Sequence, residues 1–461
     1  MKFKFMASFA LCYFAWTSSS AQVLKLEDAL QRAVAHYDKI KAKEAMVAAA
    51  AENTNFQKQQ YLPDLTLGAQ QSFGTVNMLH GPQYGFGGLG VASSSMPLAE
   101  QNWNAAFGSL YFANVNWNLF TFGRLKNEVQ LAQQGEKTVK ADLAQAIFQH
   151  QVKVVAAYLN LLASQQVKLV QTKNKERAHV FLSMTEARAQ SGLIPEVDAQ
   201  LAKAELAHAR SMEIKANDKE LEFAKQLSVL LDDDFKTYTL DSLYHTQVPA
   251  ELAHPTMLAA EHPFLLYQQQ KVDESTQKEA LLKSGKMPSI SAFGVVQGRG
   301  SGFASNYAQD RGAYTTNYLK GVGLDRSNYL LGFSLSWNIS NLFRYETLAR
   351  SQQFRSKALQ ADYQSYQKEL STQLHLADAQ LKNAYKSLQE SKVQVDAATV
   401  AFKQHSTLYT QGLTNLVDFT QSLYSLNRAE IEQTIAQNNV WQALLLQAAA
   451  HGDINHFVHL N

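Results

Sequence analysis

The side chains that could perform chemistry lie near the C-terminus, where His451, His456 and His459 are close to Asp453 in the chain. Histidine and aspartate can hold zinc together, but this spacing matches no standard zinc signature. The sequence also lacks a phosphate loop, a dinucleotide-binding fingerprint and a nucleophile elbow. We therefore predict no catalytic residue, no cofactor-binding residue and no metal ligand, and we predict that the protein is not an enzyme.

The first 21 residues predict a secretory signal peptide. Lys2 and Lys4 provide the positive start, residues 5–16 are apolar, and small residues at 19–21 precede a cut. The apolar stretch is shorter than the ~20 residues that a spanning helix needs. The only cysteine, Cys12, lies in this segment, so the mature chain is predicted to have none.

Composition excludes further classes of protein. Charged residues make up 18% of the 461 residues and the formal net charge is +2, with no strongly basic segment. A nucleic-acid binder would carry such a segment. Beyond the signal, no run of 18 apolar residues predicts a membrane helix, so an exported chain of this kind is either soluble or a β-barrel.

Two stretches predict very long helices because they lack helix breakers. Gly123–Gly192 contains no proline and one internal glycine, and Arg344–Gly412 contains neither residue inside its ends. Each can form one helix of roughly 100 Å, at about 1.5 Å per residue. A coiled-coil-like apolar stripe supports the first of them: Val139, Leu143, Ile147, Val154, Tyr158 and Leu161.

Before each long helix the apolar period changes to two, which is typical of strands. Alternating segments lie at 65–73, 111–119, 289–297 and 329–339. Four strands cannot close a barrel alone, and an open edge is not tolerated in lipid, so several copies must combine. Trp117 and Trp337, near strand ends, suit a girdle at the membrane interface. The glycine-rich connections predict long exposed loops.

The two halves match at a fixed offset, which indicates a duplicated unit. Trp117-Asn118 corresponds to Trp337-Asn338, and Gly192-Leu193 corresponds to Gly412-Leu413. After the signal peptide at 1–21, we predict a first repeat over 22–240 and a second over 241–461. Each holds a helix, a strand pair (61–122 or 288–341) and a helical hairpin whose tip lies near 192 or 412.

The order of these features resembles the TolC family of outer-membrane efflux proteins across essentially the whole mature chain. The opening helix around Leu26-Glu27-Asp28-Ala29 and the glycine-leucine tips carry the resemblance together with the duplicated unit. It implies a mainly α fold with a β-barrel part. Three subunits would form a twelve-stranded barrel in the outer membrane, continued by a periplasmic α-helical coiled-coil barrel.

The resemblance also assigns roles at the hairpin tips. It implies that Gly192, Leu193, Gly412 and Leu413 contact a periplasmic adaptor, although these residues could simply end and pack the helices. It places Asp198 and Asp418 at the periplasmic entrance, where first-turn capping is the alternative role. Two positions depart from the family: Thr414 stands in place of a gating arginine, and Gln421 stands in place of a second pore aspartate.

The resulting hypothesis is an outer-membrane channel subunit in a Gram-negative bacterium. It would work as a homotrimer, in contact with outer-membrane lipid, with an adaptor and an inner-membrane transporter, and would bind no nucleic acid. It would be a passive exit duct for small molecules such as drugs or toxic compounds. The alternatives are the channel of a type I protein secretion system and, in a different class, a periplasmic coiled-coil scaffold or adhesin.

Overall fold

A computed structural model describes residues 23–77, 97–247, 261–454 and 457. The predicted signal peptide at 1–21 lies outside the described residues, as do His456 and His459. Among the helices of the described part, none combines the length and the hydropathy of a membrane-crossing helix.

The described residues form long helices and a single sheet. In chain order the elements are α1 (Leu26–His36), α2 (Asp38–Gln59), β1 (Asp64–Thr75), β2 (Ala105–Phe120), α3 (Arg124–Gln190), α4 (Glu196–Leu231), α5 (Leu243–Thr246), α6 (Pro263–Ser284), β3 (Ser289–Ser301), α7 (Tyr318–Val322), β4 (Arg326–Ser336), α8 (Asn341–Thr410) and α9 (Leu416–His451). Helix α3 has 67 residues and α8 has 70, which confirms the two unbroken helices.

The four predicted strands form one antiparallel sheet in the order β1-β2-β3-β4. The sequence indicated two separate strand pairs, and the structure adds the β2–β3 ladder that joins them. Strand β4 ends at Ser336. Trp337 and Ile339, which belong to the predicted alternating segment, therefore lie beyond the strand. In the described part, β1 and β4 each have a strand neighbour on one side alone.

Strand register sorts the side chains onto two faces of different chemistry. We call one the apolar face; its members include Leu65, Leu67, Ala113, Val115, Val296, Leu331, Phe333 and Leu335. We call the other the polar face; its members include Thr66, Gln70, Asn114, Asn116, Gln297, Arg299, Arg326 and Asn328. Apolar-face side chains remain largely exposed in the single chain, as at Leu67 (75%) and Phe333 (77%).

The connection between β3 and β4 is largely exposed, as its glycines predict, but part of it is held against the sheet. Ser109 Oγ donates to the carbonyl of Val322 at 3.0 Å, which fixes α7 against the sheet. A Cβ atom at Gly300 would lie 1.9 Å from the Gly323 carbonyl oxygen. These glycines therefore permit close backbone approach rather than flexibility. Of the connection between β1 and β2, residues 78–96 lie outside the described part.

Contacts divide the chain into two compact units, and each takes segments from both halves of the sequence. The first unit (1–47, 139–270 and 360–461) has a core that includes the fully buried Tyr158, Leu161 and Trp441. Tyr158 donates its hydroxyl to the carbonyl of Leu24 at 2.8 Å. The second unit (48–138 and 271–359) holds the sheet and the helix segments next to it.

Candidate functional site at the helical hairpin tips

Helix α3 ends in a turn that only glycine adopts without strain. Gly192 has φ +69°, in the left-handed region. The amide of Leu193 donates to the carbonyl of Arg188, and that of Gly192 to the carbonyl of Ala189, both at 2.9 Å. This pair of bonds is a Schellman motif, which satisfies the last carbonyls of a helix. Pro195 then precedes the first residue of α4.

Helix α8 ends in the same way. Gly412 has φ +76°, and Leu413 N–H donates to the Leu408 carbonyl at 2.8 Å. Asn415 caps α9, because its Oδ1 accepts from the amide of Asp418 at 2.9 Å. By residue type, either Thr414 or Asn415 could cap this helix. Thr414 instead donates its hydroxyl to Asp418 Oδ2 at 3.1 Å.

The tips present apolar side chains to solvent. Leu193 is 68% exposed and Leu413 is 70% exposed. Four residues after each of them, Val197 and Val417 are also exposed. A leucine that only packed its own helix end would be covered. In the described chain nothing covers these four side chains, so each hairpin ends in an exposed apolar surface.

The predicted entrance residues lie just beyond the tips. Asp198 is half-buried in the first turn of α4, whereas Asp418 and Gln421 are exposed on α9. Asp198 lies near enough to Tyr409, on α8 of the other hairpin, for its charge to influence that hydroxyl. Burial is the main reason that the pKa of Tyr409 is raised, and the negative charge of Asp198 adds to it.

The sequence did not single out Arg188, yet it links the two hairpins. Its Nη1 donates to the carbonyl of Tyr409 at 2.6 Å and to that of Thr410 at 3.3 Å. Its guanidinium carbon also lies 5.5 Å from the centre of the Tyr409 ring. The last carbonyls of α8 thus accept hydrogen bonds from a cationic side chain of α3. A positive charge is favourable there because the C-terminal end of a helix is partly negative.

An aromatic cluster supports this link from within. The rings of Phe181 and Phe419 stack at 4.3 Å between centroids, and Tyr409 lies 5.5 Å from Phe419. All three side chains are buried. Because these residues come from α3, α8 and α9, the cluster fixes the position of both hairpin ends in one chain.

The two predicted interface tryptophans lie at the sheet. Trp117 is 42% exposed near the end of β2, and Trp337 is 51% exposed just after β4. Each donates its indole N–H to a backbone carbonyl, Trp117 to Tyr61 at 2.9 Å and Trp337 to Lys286 at 3.1 Å. Elsewhere in the described residues, no group of three or more His, Cys, Asp and Glu could hold a metal ion.

The model of the outer membrane efflux protein family matches residues 29–231 and 255–452, which is most of the chain. This chain belongs to the outer membrane efflux protein family. The resemblance to the TolC family is thereby confirmed, and membership indicates an outer-membrane transport protein rather than an enzyme. By sequence, no protein with a curated function matches this family member.

Solved channels share the fold of this efflux protein. The outer membrane protein VceC from Vibrio cholerae is similar with a TM-score of 0.73 at 14% identity, over 93% of this chain and 96% of that one. The CmeC outer membrane channel of Campylobacter jejuni gives 0.73 at 15% identity, over 93% and 85%. The open state of the MtrE outer membrane channel of Neisseria gonorrhoeae gives 0.71 at 15% identity, over 93% and 89%.

Proposed function

We propose that this efflux protein is the outer-membrane channel subunit of a tripartite export system. Three copies would form the duct, a periplasmic adaptor would bind the hairpin tips, and an inner-membrane transporter would supply the energy. The cargo would be small molecules such as drugs or toxic compounds. Family membership supports the transport role.

The observation that carries the proposal is the sheet with two open edges and an exposed apolar face. Among the described residues, the outer edges of β1 and β4 have no strand partner, which is a liability in a soluble protein and is not tolerated in lipid. Pairing β4 of one copy with β1 of the next would remove both edges. Three copies would then give a closed ring of twelve strands, with the apolar face outward and the polar face inward.

The tips support the adaptor contact. Leu193 and Leu413 are exposed on rigid turns whose geometry is fixed by glycine and by the Arg188 link. An apolar side chain held on a rigid element loses little conformational entropy when it binds. We therefore assign these two leucines, with Gly192 and Gly412, to the adaptor interface.

Asp198 and Asp418 would form carboxylate rings at the entrance in a threefold assembly. Such rings attract cations and repel anions. Thr414 stands where the family resemblance implies a gating arginine, so a different group must hold the closed state. Arg188 would take this role, and its bond between the ends of α3 and α8 supports the assignment.

Site-directed photo-crosslinking tests the proposal. A cysteine at Leu413 would carry a photo-crosslinker, and the captured partner would be identified from cells. Cysteine at Val229, which is 59% exposed on α4 but far from the tip in sequence, provides the matched control. We expect an adaptor from a drug or metal efflux system at 413 and none at 229.

The other outcomes separate the alternatives. An adaptor from a protein secretion system would change the cargo to a polypeptide while keeping the channel. Equal capture at both positions, or none at 413 in a folded trimer, would contradict the tip assignment. A soluble rod that needs no detergent and shows no heat-sensitive trimer would contradict the channel itself and favour a scaffold.

A further inference from the structure

The four strands carry very few charges, and two of them face each other. The charged side chains within the strands are Asp64 in β1, Arg299 in β3 and Arg326 in β4. Arg299 and Arg326 are direct cross-strand partners in the β3–β4 ladder. Asp64 pairs with Asn116, towards the opposite end of the sheet. A pair of like charges in direct opposition destabilises a sheet, so this pair does not contribute to the stability of the fold.

Neither guanidinium is neutralised by the described residues. Both arginines are exposed, and neither makes an ion pair there. The nearest carboxylate in sequence, that of Asp325, accepts instead from the backbone amide of Ser301 at 3.2 Å. Residues 78–96, in the connection between β1 and β2, contain no aspartate or glutamate. The positive charge is therefore available to a ligand.

The pair lies on the polar face, beside a cavity. Arg299 pairs with Leu110 of β2, and Leu110 pairs with Gln70 of β1, so all three side chains lie on this face. These three residues line a cavity of about 610 Å³, together with Ser72, Phe303 and Tyr307. This volume is within the range of sites that hold a drug-sized molecule. Phe303 and Tyr307 contact each other at 4.7 Å between ring centroids, which gives the cavity an aromatic wall.

We propose that Arg299 and Arg326 form a binding and selectivity site for amphipathic organic anions, such as aromatic carboxylates. The guanidinium groups would hold the carboxylate, because arginine matches its geometry with paired hydrogen bonds. The cavity beside Arg299 would cover the apolar part of the molecule. This inference rests on the proposed function, which places the polar face inside the duct.

In a threefold assembly, the pair becomes a ring of arginines. Rings of cationic side chains are how anion-selective pores attract their ions. This ring would have the opposite sign to the carboxylate rings of Asp198 and Asp418. The arginine site would therefore select among molecules that have reached the strand region, whereas the carboxylate rings would act where molecules enter between the helices.

Recordings on purified trimers in planar lipid bilayers test the site. The measured quantities are the reversal potential in a KCl gradient and the concentration of 2-naphthoate that halves the conductance. The double variant Arg299→Gln/Arg326→Gln should raise that concentration at least about tenfold and shift selectivity towards K⁺. The control Lys320→Gln removes a positive charge from exposed α7, which packs on the apolar face, and should behave as wild type.

Several results would overturn the proposal. The first is a double variant with wild-type block and selectivity. A second is equal block of wild type by 2-naphthylmethanol, which lacks the charge. Arg299→Gln alone serves where the double variant fails to form trimers on an unheated gel. A wild-type protein that forms no trimer and does not insert into the bilayer would contradict the proposed function itself, whereas conducting trimers without these effects would contradict only the arginine site.

Discussion

Trp117 and Trp337 make the same hydrogen bond at two places in the chain. Trp117 Nε1 donates to the carbonyl of Tyr61 at 2.9 Å, and Trp337 Nε1 donates to that of Lys286 at 3.1 Å. Each accepting residue stands two positions before a proline, Pro63 or Pro288, that precedes a strand. Each indole therefore ties the end of one strand to the start of the strand with which it pairs.

Replacement of either tryptophan by phenylalanine tests this bond. Trp117→Phe and Trp337→Phe keep the aromatic ring but remove the indole donor. We expect each to lower the free energy of unfolding by about 1 kcal/mol, the usual net value of one hydrogen bond. The midpoint of thermal unfolding in detergent, followed by circular dichroism, would report the change.

Trp103→Phe is the matched control. Trp103 is 80% exposed and makes no indole hydrogen bond with the described residues, so its replacement should leave the midpoint unchanged. If all three variants behave alike, the indoles contribute through their general exposure to lipid or detergent, and the tie between strand ends has no energetic role.

Arg188 is expected to hold the ends of the two helical hairpins together. Arg188→Ala removes its bonds to the carbonyls of Tyr409 and Thr410. A charge-assisted bond at a half-buried position contributes about 1 kcal/mol or somewhat more. Amides in the last turn of α8 should then exchange several-fold faster with deuterium, because local opening becomes easier.

The exposed Arg210 of α4 provides the comparison for this experiment. Arg210→Ala removes an equal charge from the same hairpin but breaks no hydrogen bond to α8 within the described residues, and it should leave exchange there unaltered. Unchanged exchange in Arg188→Ala would mean that the aromatic cluster alone fixes the hairpin ends.

Local patterns were sufficient to predict the two long helices, the four strands and the two hairpin turns of this fold. Proline-free stretches gave α3 and α8, and the alternation of apolar residues located the four strands. Glycine located both hairpin turns, because a positive φ at Gly192 and Gly412 is a local requirement. Each of these signals is read from consecutive residues of the chain, so no knowledge of tertiary contacts was necessary.

Long-range contacts could not be predicted in the same way. Arg188 bonds to a carbonyl 221 residues away, and nothing in its neighbourhood distinguishes it from a solvent-facing arginine. The opposition of Arg299 and Arg326 depends on a register that composition does not specify. The sequence also gave no sign that β2 and β3 pair, so the two strand pairs were not joined. The roles of the tip residues remain predictions.

A buried carboxyl in the helical hairpins should make stability depend on pH. Glu205 is buried on α4, its Oε2 accepts from the hydroxyl of Tyr424, and its Oε1 has no partner in the described part. Burial raises the pKa of Glu205, while the Tyr424 bond opposes this shift. The folded state therefore binds the proton more tightly than the unfolded state, and stability falls as pH rises from the usual carboxyl range towards the folded pKa.

Two substitutions separate the charge from its hydrogen bond. Glu205→Gln removes the buried charge, so it should be neutral or stabilising at pH 7 and should flatten this part of the pH profile. Tyr424→Phe leaves the carboxylate without its donor and should cost about 1–3 kcal/mol at pH 7. The cost should shrink in the double variant, because the two groups interact. Additive effects in the double variant would contradict the coupling.

His262 should produce the opposite trend with pH. It is buried before α6, where its Nδ1 accepts from the amide of Phe264 at 3.1 Å and its Nε2 contacts the carbonyl of Ala449 at 3.2 Å. These partners require a neutral ring, with the proton on Nε2. Burial is the main cause of its lowered pKa. Between the folded pKa and the unfolded value of about 6.5, the unfolded state binds more protons.

Stability should therefore decrease as pH falls below about 6.5. Glutamine cannot titrate, so His262→Gln should weaken the dependence of the unfolding midpoint on pH between about 7 and 5. The substitution also disturbs the buried hydrogen bonds of His262, so it should lower the midpoint at pH 7. His150 and His245, whose pKa values are also lowered chiefly by burial, should retain part of the slope. The exposed His375→Gln should keep the wild-type slope, and an equal slope in His262→Gln would show that protonation of His262 does not control unfolding.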